Sequence, residues 1–167
     1  LIEDATKLWW DLRPSERFPT LEMRIADSCT SLEDALSIAA LFRCLLRVLW
    51  RLKRANQRWR VYARMLVDEN RWRAQRYGTD RGLVDFGRGA VVPYADLLEE
   101  IIALVAEDAR HFGCEAEVLH ARNILARGTS AHRQLAVFER ALANGAGQAQ
   151  ALCAVVDWLI AETARDA

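Results

Sequence analysis

Proline, glycine and histidine are scarce in this chain, and nothing in it pairs one cysteine with another. It has 3 Pro, 8 Gly and 3 His in 167 residues, against 52% apolar and 28% charged residues. That balance excludes disorder and collagen-like repeats and suits a compact globule. No uncharged stretch reaches the roughly 20 residues of a membrane span, and no basic n-region precedes an apolar core. Neither membrane insertion nor secretion is expected. Cys29, Cys44, Cys114 and Cys153 lie far apart with no C-x-x-C, and His111, His120 and His132 have no metal-ligand spacing. Neither a zinc site nor a disulfide framework is indicated, a reducing cytoplasm is expected, and the cysteines read as small buried apolar residues.

Net charge is also absent, but only in the sum. Residues 1–42, 43–81 and 82–167 carry −4, +9 and −5. A basic middle segment faces either a polyanion or the acidic flanks of its own protein, and overall neutrality favours the second, with no nucleic-acid partner. A chain of this length buries roughly 70% of its unfolded surface as one domain. Because it begins at Leu1 and enters an aromatic run within a few residues, it reads as a piece of something longer.

Residues 7–13 alternate, with Leu8, Trp10 and Leu12 on one face and Trp9, Asp11 and Arg13 on the other, the period of a half-buried strand that Pro14 breaks. Residues 20–27 repeat the pattern, with Leu21, Met23 and Ile25 opposed to Thr20, Glu22, Arg24 and Ala26. Six residues from Pro14 to Pro19 suffice to join an antiparallel pair. After Asp27 the period changes. Ser31-Leu-Glu-Asp34 is a helix-start signature, and the run from Ala35 to Leu52 is helical in length. Arg43, Arg47, Arg51 and Arg54 form one stripe along it, which reads as a solvated face.

A second helix is predicted from about Gln57 to Tyr77, ending at Gly78. Trp72 on it reads as core. Residues 79–92 read as a loop or small hairpin whose Gly87-x-Gly89 is a turn, since no strand-then-helix context or third glycine makes it a dinucleotide fingerprint. Pro93 opens a helix to about Phe112 with Leu97, Leu98, Ile101, Ile102 and Val105 as its buried stripe, and Gly113 closes it. Further helices are predicted at 115–126, 130–143 and 147–164.

Asp11, Arg13, Glu22 and Arg24 share one face of the strand pair. Such a face is often simply turned to water. A Glu-x-Arg pair on one strand also sets a hard oxygen donor for Mg²⁺ beside a guanidinium able to hold phosphate or carboxylate. Leu8-Trp-Trp-Asp-Leu-Arg-Pro-Ser15 followed by Pro19-Thr-Leu-Glu-Met-Arg-Ile-Ala-Asp27 resembles the C-terminal half of the carboxylate-amine ligases of the glutamate-cysteine ligase type 2 family. Glu69-Asn-Arg-Trp-Arg-Ala-Gln-Arg-Tyr-Gly78, then Leu83-Val-Asp85, is similar to a second signature of that family.

The resemblance implies an α+β fold, with two antiparallel strands of a glutamine synthetase-like catalytic sheet followed by a mainly α-helical region. Residues 1–167 would then be the C-terminal part of a single catalytic domain: a strand pair at 1–29, long helices at 30–78, the loop or hairpin at 79–92 and a helical region at 93–167. It further implies ATP and Mg²⁺, phosphorylation of a substrate carboxylate, and attack of an amine on the acyl phosphate, with glutamate and an amine such as cysteine as substrates. Carried over by position, Glu22 is the metal ligand, Arg24 and Arg13 are catalytic, and Asp11, Asn70, Arg73 and Arg76 hold substrate or ATP. The family's N-terminal half, with its acidic and histidine-bearing strands, has no counterpart here. It is the expected partner; a homodimer is compatible with the reading, and the chain alone is expected to be inactive. Without that half, the open edges of the strand pair should promote association. The rival expectation is a noncatalytic helical interaction domain that binds a partner through its basic face.

Overall fold

Ser31 is where extended chain gives way to helix. Its Oγ accepts the Asp34 N–H at 3.5 Å, and helix α1 (Leu32–Arg54) follows, with Glu33 and Asp34 in its first turn and Arg51, Lys53 and Arg54 in its last. Both charge placements suit the helix dipole. The structure, a computed structural model, describes residues 3–165. Residues 1–2 and 166–167, the outer ends of the predicted strand-pair and helical segments, lie outside the described residues.

On α1 the buried positions Ala40, Cys44 and Val48 recur every four residues. They pack against Ile102, Val105 and Ala109 of α3 (Tyr94–Phe112) and Val118 of α4 (Glu115–Arg127), a core built largely from small side chains. Small residues let helix axes approach closely, and Leu41, Leu45, Leu98, Leu104 and Phe112 pack around this seam. Pro93 precedes α3, and Gly113, at φ 64°, turns the chain into α4. Helices α5 (Ser130–Ala143) and α6 (Gln148–Ala164) pack chiefly on each other, with Arg133 Nη1 donating to the nearly buried Glu162 at 2.6 Å.

Two separate two-stranded antiparallel sheets complete an α+β chain. Strands β1 (Leu12–Pro14) and β2 (Leu21–Met23) pair Leu12 with Met23, Arg13 with Glu22 and Pro14 with Leu21. The strands are shorter than the 7–13 and 20–27 expected, and Pro14 is the last residue of the first rather than the break after it. Arg24 N–H donates to the Asp11 carbonyl at 2.7 Å and Ser15 N–H to that of Thr20 at 2.9 Å. Ladder bonds alternate along an antiparallel pair, so Pro14 falls on a position where no N–H is required.

Strands β3 (Leu83–Asp85) and β4 (Ala90–Val92) form the hairpin that the 79–92 segment allowed. Its turn is organised by Asp85, whose Oδ1 accepts the N–H groups of Gly87 and Arg88 at 2.7 and 3.0 Å. Helix α2 (Arg64–Tyr77) is shorter than the predicted 57–77. Asn56 takes a positive φ of 56° just after α1, and Tyr62 packs edge-on against Phe86 of the hairpin at 4.8 Å between centroids. Those two features hold 57–63 out of a helix.

Three burial expectations are corrected. Ile101 is exposed while Asp108 and Ala109 join Ile102 and Val105 in the buried stripe of α3. Trp72 is about half exposed and packs only edge-on against Tyr77. Of the cysteines, Cys44 alone is buried, while Cys153 is exposed. Among the described residues no helix is long and apolar enough to cross a membrane.

Candidate functional site

The one-face arrangement read from the strand pair is realised as a charged triad. Arg13 and Glu22 are directly opposed across the ladder, and cross-strand partners on one face lie within side-chain reach. Arg13 Nε and Nη2 donate to Glu22 Oε2 at 2.9 and 2.5 Å, while Arg24 Nη1 donates to Oε1 at 3.1 Å. The Arg13 hydrogen bonds hold the Glu22 carboxyl below its usual pKa against the opposing effect of burial, and the charges of Arg13 and Arg24 add to them. Glu22 therefore gives up its proton more readily than an ordinary glutamate.

The two arginines differ in freedom. Arg13 also sends Nη1 to the carbonyl of Thr6 at 2.7 Å, which ties the 3-10 turn Ala5–Lys7 to the strand pair. Its donors are thus largely committed. Arg24 makes one hydrogen bond to Glu22 and lies 5.4 Å from the centroid of the exposed Trp9 ring. A guanidinium held by a carboxylate and backed by an indole retains donors for an incoming carboxylate or phosphate.

Asp11 does not pair with Arg13. Its Oδ2 accepts from Arg71 Nη1 at 2.7 Å, a contact that joins α2 to the start of β1. Arg71 stands inside the Glu69–Gly78 signature but no sequence reading singled it out, because its partner lies 60 residues away. Asn70 and Arg73 are engaged elsewhere, at the hairpin. Asn70 Nδ2 donates to the Val84 carbonyl at 2.9 Å and its Oδ1 accepts the Val84 N–H at 2.7 Å. Arg73 donates to the carbonyls of Gly82 and Arg81 at 3.2 and 3.0 Å. Arg76 is exposed, about 240° around the helix from Asn70. The structure thus gathers Arg13, Glu22 and Arg24, joins Asp11 to α2 through Arg71, and sets Asn70 and Arg73 on the hairpin.

Among the described residues no three Asp, Glu, His or Cys side chains converge as a cation site. Mg²⁺ prefers several hard oxygens in near-octahedral geometry, and Glu22 offers one carboxylate whose two oxygens already accept from guanidinium groups. The described residues do not by themselves fit a magnesium ion.

The arginine stripe of α1 is solvated at its ends, where Arg43 and Arg54 are exposed, but not in its middle. Arg47 Nη1 donates to Asp108 Oδ1 at 2.6 Å, and Arg51 reaches both Asp108 oxygens at 3.1 and 2.7 Å. Glu107 lies beside them, 3.0 Å from Arg51, and Arg43 stacks 3.8 Å from the Phe112 ring centroid. The basic segment meets the acidic flank of its own chain, as neutrality suggested. Burial raises the Asp108 pKa, but hydrogen bonds and charge from Arg51 and Arg47 outweigh it and leave the carboxyl below its ordinary value.

Two histidines also have partners that sequence spacing did not show. His120 Nε2 lies 2.9 Å from Asp34 Oδ1, which Arg127 also contacts, so the first turn of α1 is pinned to α4. His132 Nδ1 accepts the Thr129 N–H at 3.1 Å, and its Nε2 lies 3.1 Å from Asp80. Both contacts join elements and neither faces the triad strands.

Residues 1–154 match the family model described as Glutamate-cysteine ligase family 2. Three relatives each bear the name "Putative glutamate--cysteine ligase 2". The one from Rhodospirillum rubrum is 72% identical over 98% of this chain and 42% of its own length. Those from Paracoccus denitrificans and Jannaschia sp. are 48% and 53% identical, over 99% and 96% of this chain and 44% and 42% of theirs. The chain spans less than half the length of these relatives. No solved structure matches it.

Proposed function

This chain belongs to the glutamate-cysteine ligase family 2, and from that premise we propose that it forms part of an ATP-dependent carboxylate-amine ligase acting on glutamate and an amine such as cysteine. ATP would supply the phosphoryl group that activates the carboxylate as an acyl phosphate, and the amine would attack its acyl carbon, forming the amide and expelling inorganic phosphate. The observation that carries the reading is Glu22 bridged between Arg13 and Arg24, on the strand pair that bears the family-like motif.

On this reading Arg24 is the anion-binding group and the Trp9 ring limits its movement. Arg13, anchored to the Thr6 carbonyl, orients Glu22 and keeps compensating charge beside Arg24. An incoming carboxylate or phosphate would compete with Glu22 for Arg24, and Glu22 would then be the one residue here able to offer a carboxylate to a cation held mainly from outside this chain. Arg71 positions Asp11, and Asn70 and Arg73 hold the hairpin that follows α2. Arg76 is proposed as a further anion contact from its exposed face of α2. We place the full activity, Mg²⁺ binding included, in the whole protein, with the isolated chain inactive and the site cytoplasmic.

Calorimetry of the intact protein with MgATP tests this. Glu22→Ala abolishes binding while Arg110→Ala, an exposed arginine of α3, leaves it intact. Failure of the intact protein to bind MgATP, or binding indifferent to Glu22, overturns the reading.

A further inference from the structure

Cys44 and Cys114 are separated by 70 residues, yet their sulfurs lie 3.7 Å apart. Cys44 stands in the middle rung of the α1 seam, between Ala40 and Val48, and is fully buried. Cys114 is the half-buried residue that immediately precedes α4, just after the Gly113 turn. A side chain placed at Gly113 would meet nothing within 4 Å, so the position just before Cys114 opens on free space. Cys29 and Cys153 are not in this contact.

We propose that Cys44 and Cys114 are a redox modification site that a low-molecular-weight disulfide converts to an internal disulfide. The order of events follows from access. The thiolate of Cys114 attacks one sulfur of the small disulfide R–S–S–R, forming Cys114–S–S–R and releasing RS⁻. Cys44, which the small molecule cannot reach, then gives up its proton to solvent and attacks the Cys114 sulfur, expelling the second RS⁻. Two protein thiols are oxidised to one disulfide while R–S–S–R is reduced to two thiols. The cross-link ties the centre of α1 to the start of α4.

Burial, with the hydrogen bond to Cys114 and the nearby charges of Cys114 and Asp108 adding to it, pushes the Cys44 thiol up to about 12. Its thiolate is therefore a minor species at neutral pH, and closure is the slow step. The rate of closure rises about tenfold per pH unit across the neutral to mildly alkaline range.

The test is incubation of the intact folded protein with oxidised glutathione, followed by non-reducing peptide mapping. The expected result is a Cys44–Cys114 linked peptide with loss of about 2 Da, reversed by dithiothreitol and accelerated by raising the pH. Cys29→Ser with Cys153→Ser retains the link, whereas Cys114→Ser loses it and leaves Cys44 unmodified. The oxidised protein has a higher thermal midpoint than the reduced one, and Cys44→Ala removes that difference. A stable mixed disulfide at Cys114 without closure, no reaction of either residue, or links made only by Cys29 or Cys153 overturns the proposal.

Discussion

Asn70 pairs with Val84 as one strand residue pairs with another. Its side-chain amide donates to the Val84 carbonyl at 2.9 Å and accepts the Val84 N–H at 2.7 Å. A helix side chain thus stands in for a third strand along β3, which otherwise has only β4 as a neighbour. The hairpin following α2 is fixed to that helix by this amide and by the Arg73 guanidinium one turn on.

Asn70→Ala leaves both Val84 groups without a protein partner. Each is only partly buried, so water recovers some of the loss, and a cost of about 1–2 kcal/mol is expected. Asn70→Asp keeps the acceptor and loses the donor, so it falls between wild type and alanine. Amide hydrogen exchange reads the effect locally: Val84 exchanges faster in both variants, while Val105 in the core is unchanged.

Gly82 and Gly89 test the same hairpin from its backbone. Both have positive φ, 65° and 64°. A Cβ at Gly82 would sit 2.2 Å from the Val92 carbonyl oxygen, whereas one at Gly89 would meet nothing within 4 Å. Gly89→Ala therefore costs only the left-handed penalty, about 1 kcal/mol. Gly82→Ala adds displacement of the β4 backbone and costs about 3 kcal/mol. Denaturant midpoints should rank wild type, Gly89→Ala, then Gly82→Ala; equal losses at the two positions would contradict the close approach.

Asp108 makes stability depend on acid. Its folded pKa lies below the ordinary carboxylate value, so between those two values the unfolded chain binds the proton that the folded chain refuses. The stabilisation is complete above the unfolded pKa, near 4, and is lost as pH falls through the folded one. Asp108→Asn removes that dependence, and its thermal midpoint falls less steeply than that of wild type below about pH 4. At neutral pH Asp108→Ala leaves Arg47 and Arg51 half-buried without their main partner and costs about 3 kcal/mol.

These tests also mark where sequence reading works and where it stops. Ser31 and Gly113 act through bonds to residues within five positions, so the start of α1 and the end of α3 were readable from local chemistry. The start of α2 was not. Residues 57–63 have a composition compatible with helix, and only the packing of Tyr62 on Phe86 and the turn at Asn56 exclude it. The triad was half readable: strand alternation placed Arg13, Glu22 and Arg24 on one face, but register alone opposes Arg13 to Glu22 and leaves Asp11 to Arg71. Asp108 was invisible, because a carboxylate is buried only when arginines from another helix meet it, and periodicity along one helix carries no such information.

Glu22 offers the sharpest separation between a metal ligand and a plain counter-ion to two arginines. In either role, Glu22→Gln removes one negative charge from a face that keeps Arg13 and Arg24. Metal-free tripolyphosphate should then bind the Glu22→Gln protein several-fold more tightly than it binds wild type, and the gain should shrink as salt is raised, because the arginines involved are partly open to solvent. Nucleotide with Mg²⁺ separates the roles. If Glu22 donates an oxygen to the cation, the amide, a weaker donor without charge, lowers affinity for MgATP even as affinity for the bare polyanion rises. If Glu22 is only a counter-ion, both affinities rise together. The proposed ligase reading expects the opposed pair of shifts, and isothermal titration of the same two proteins with both ligands measures them directly.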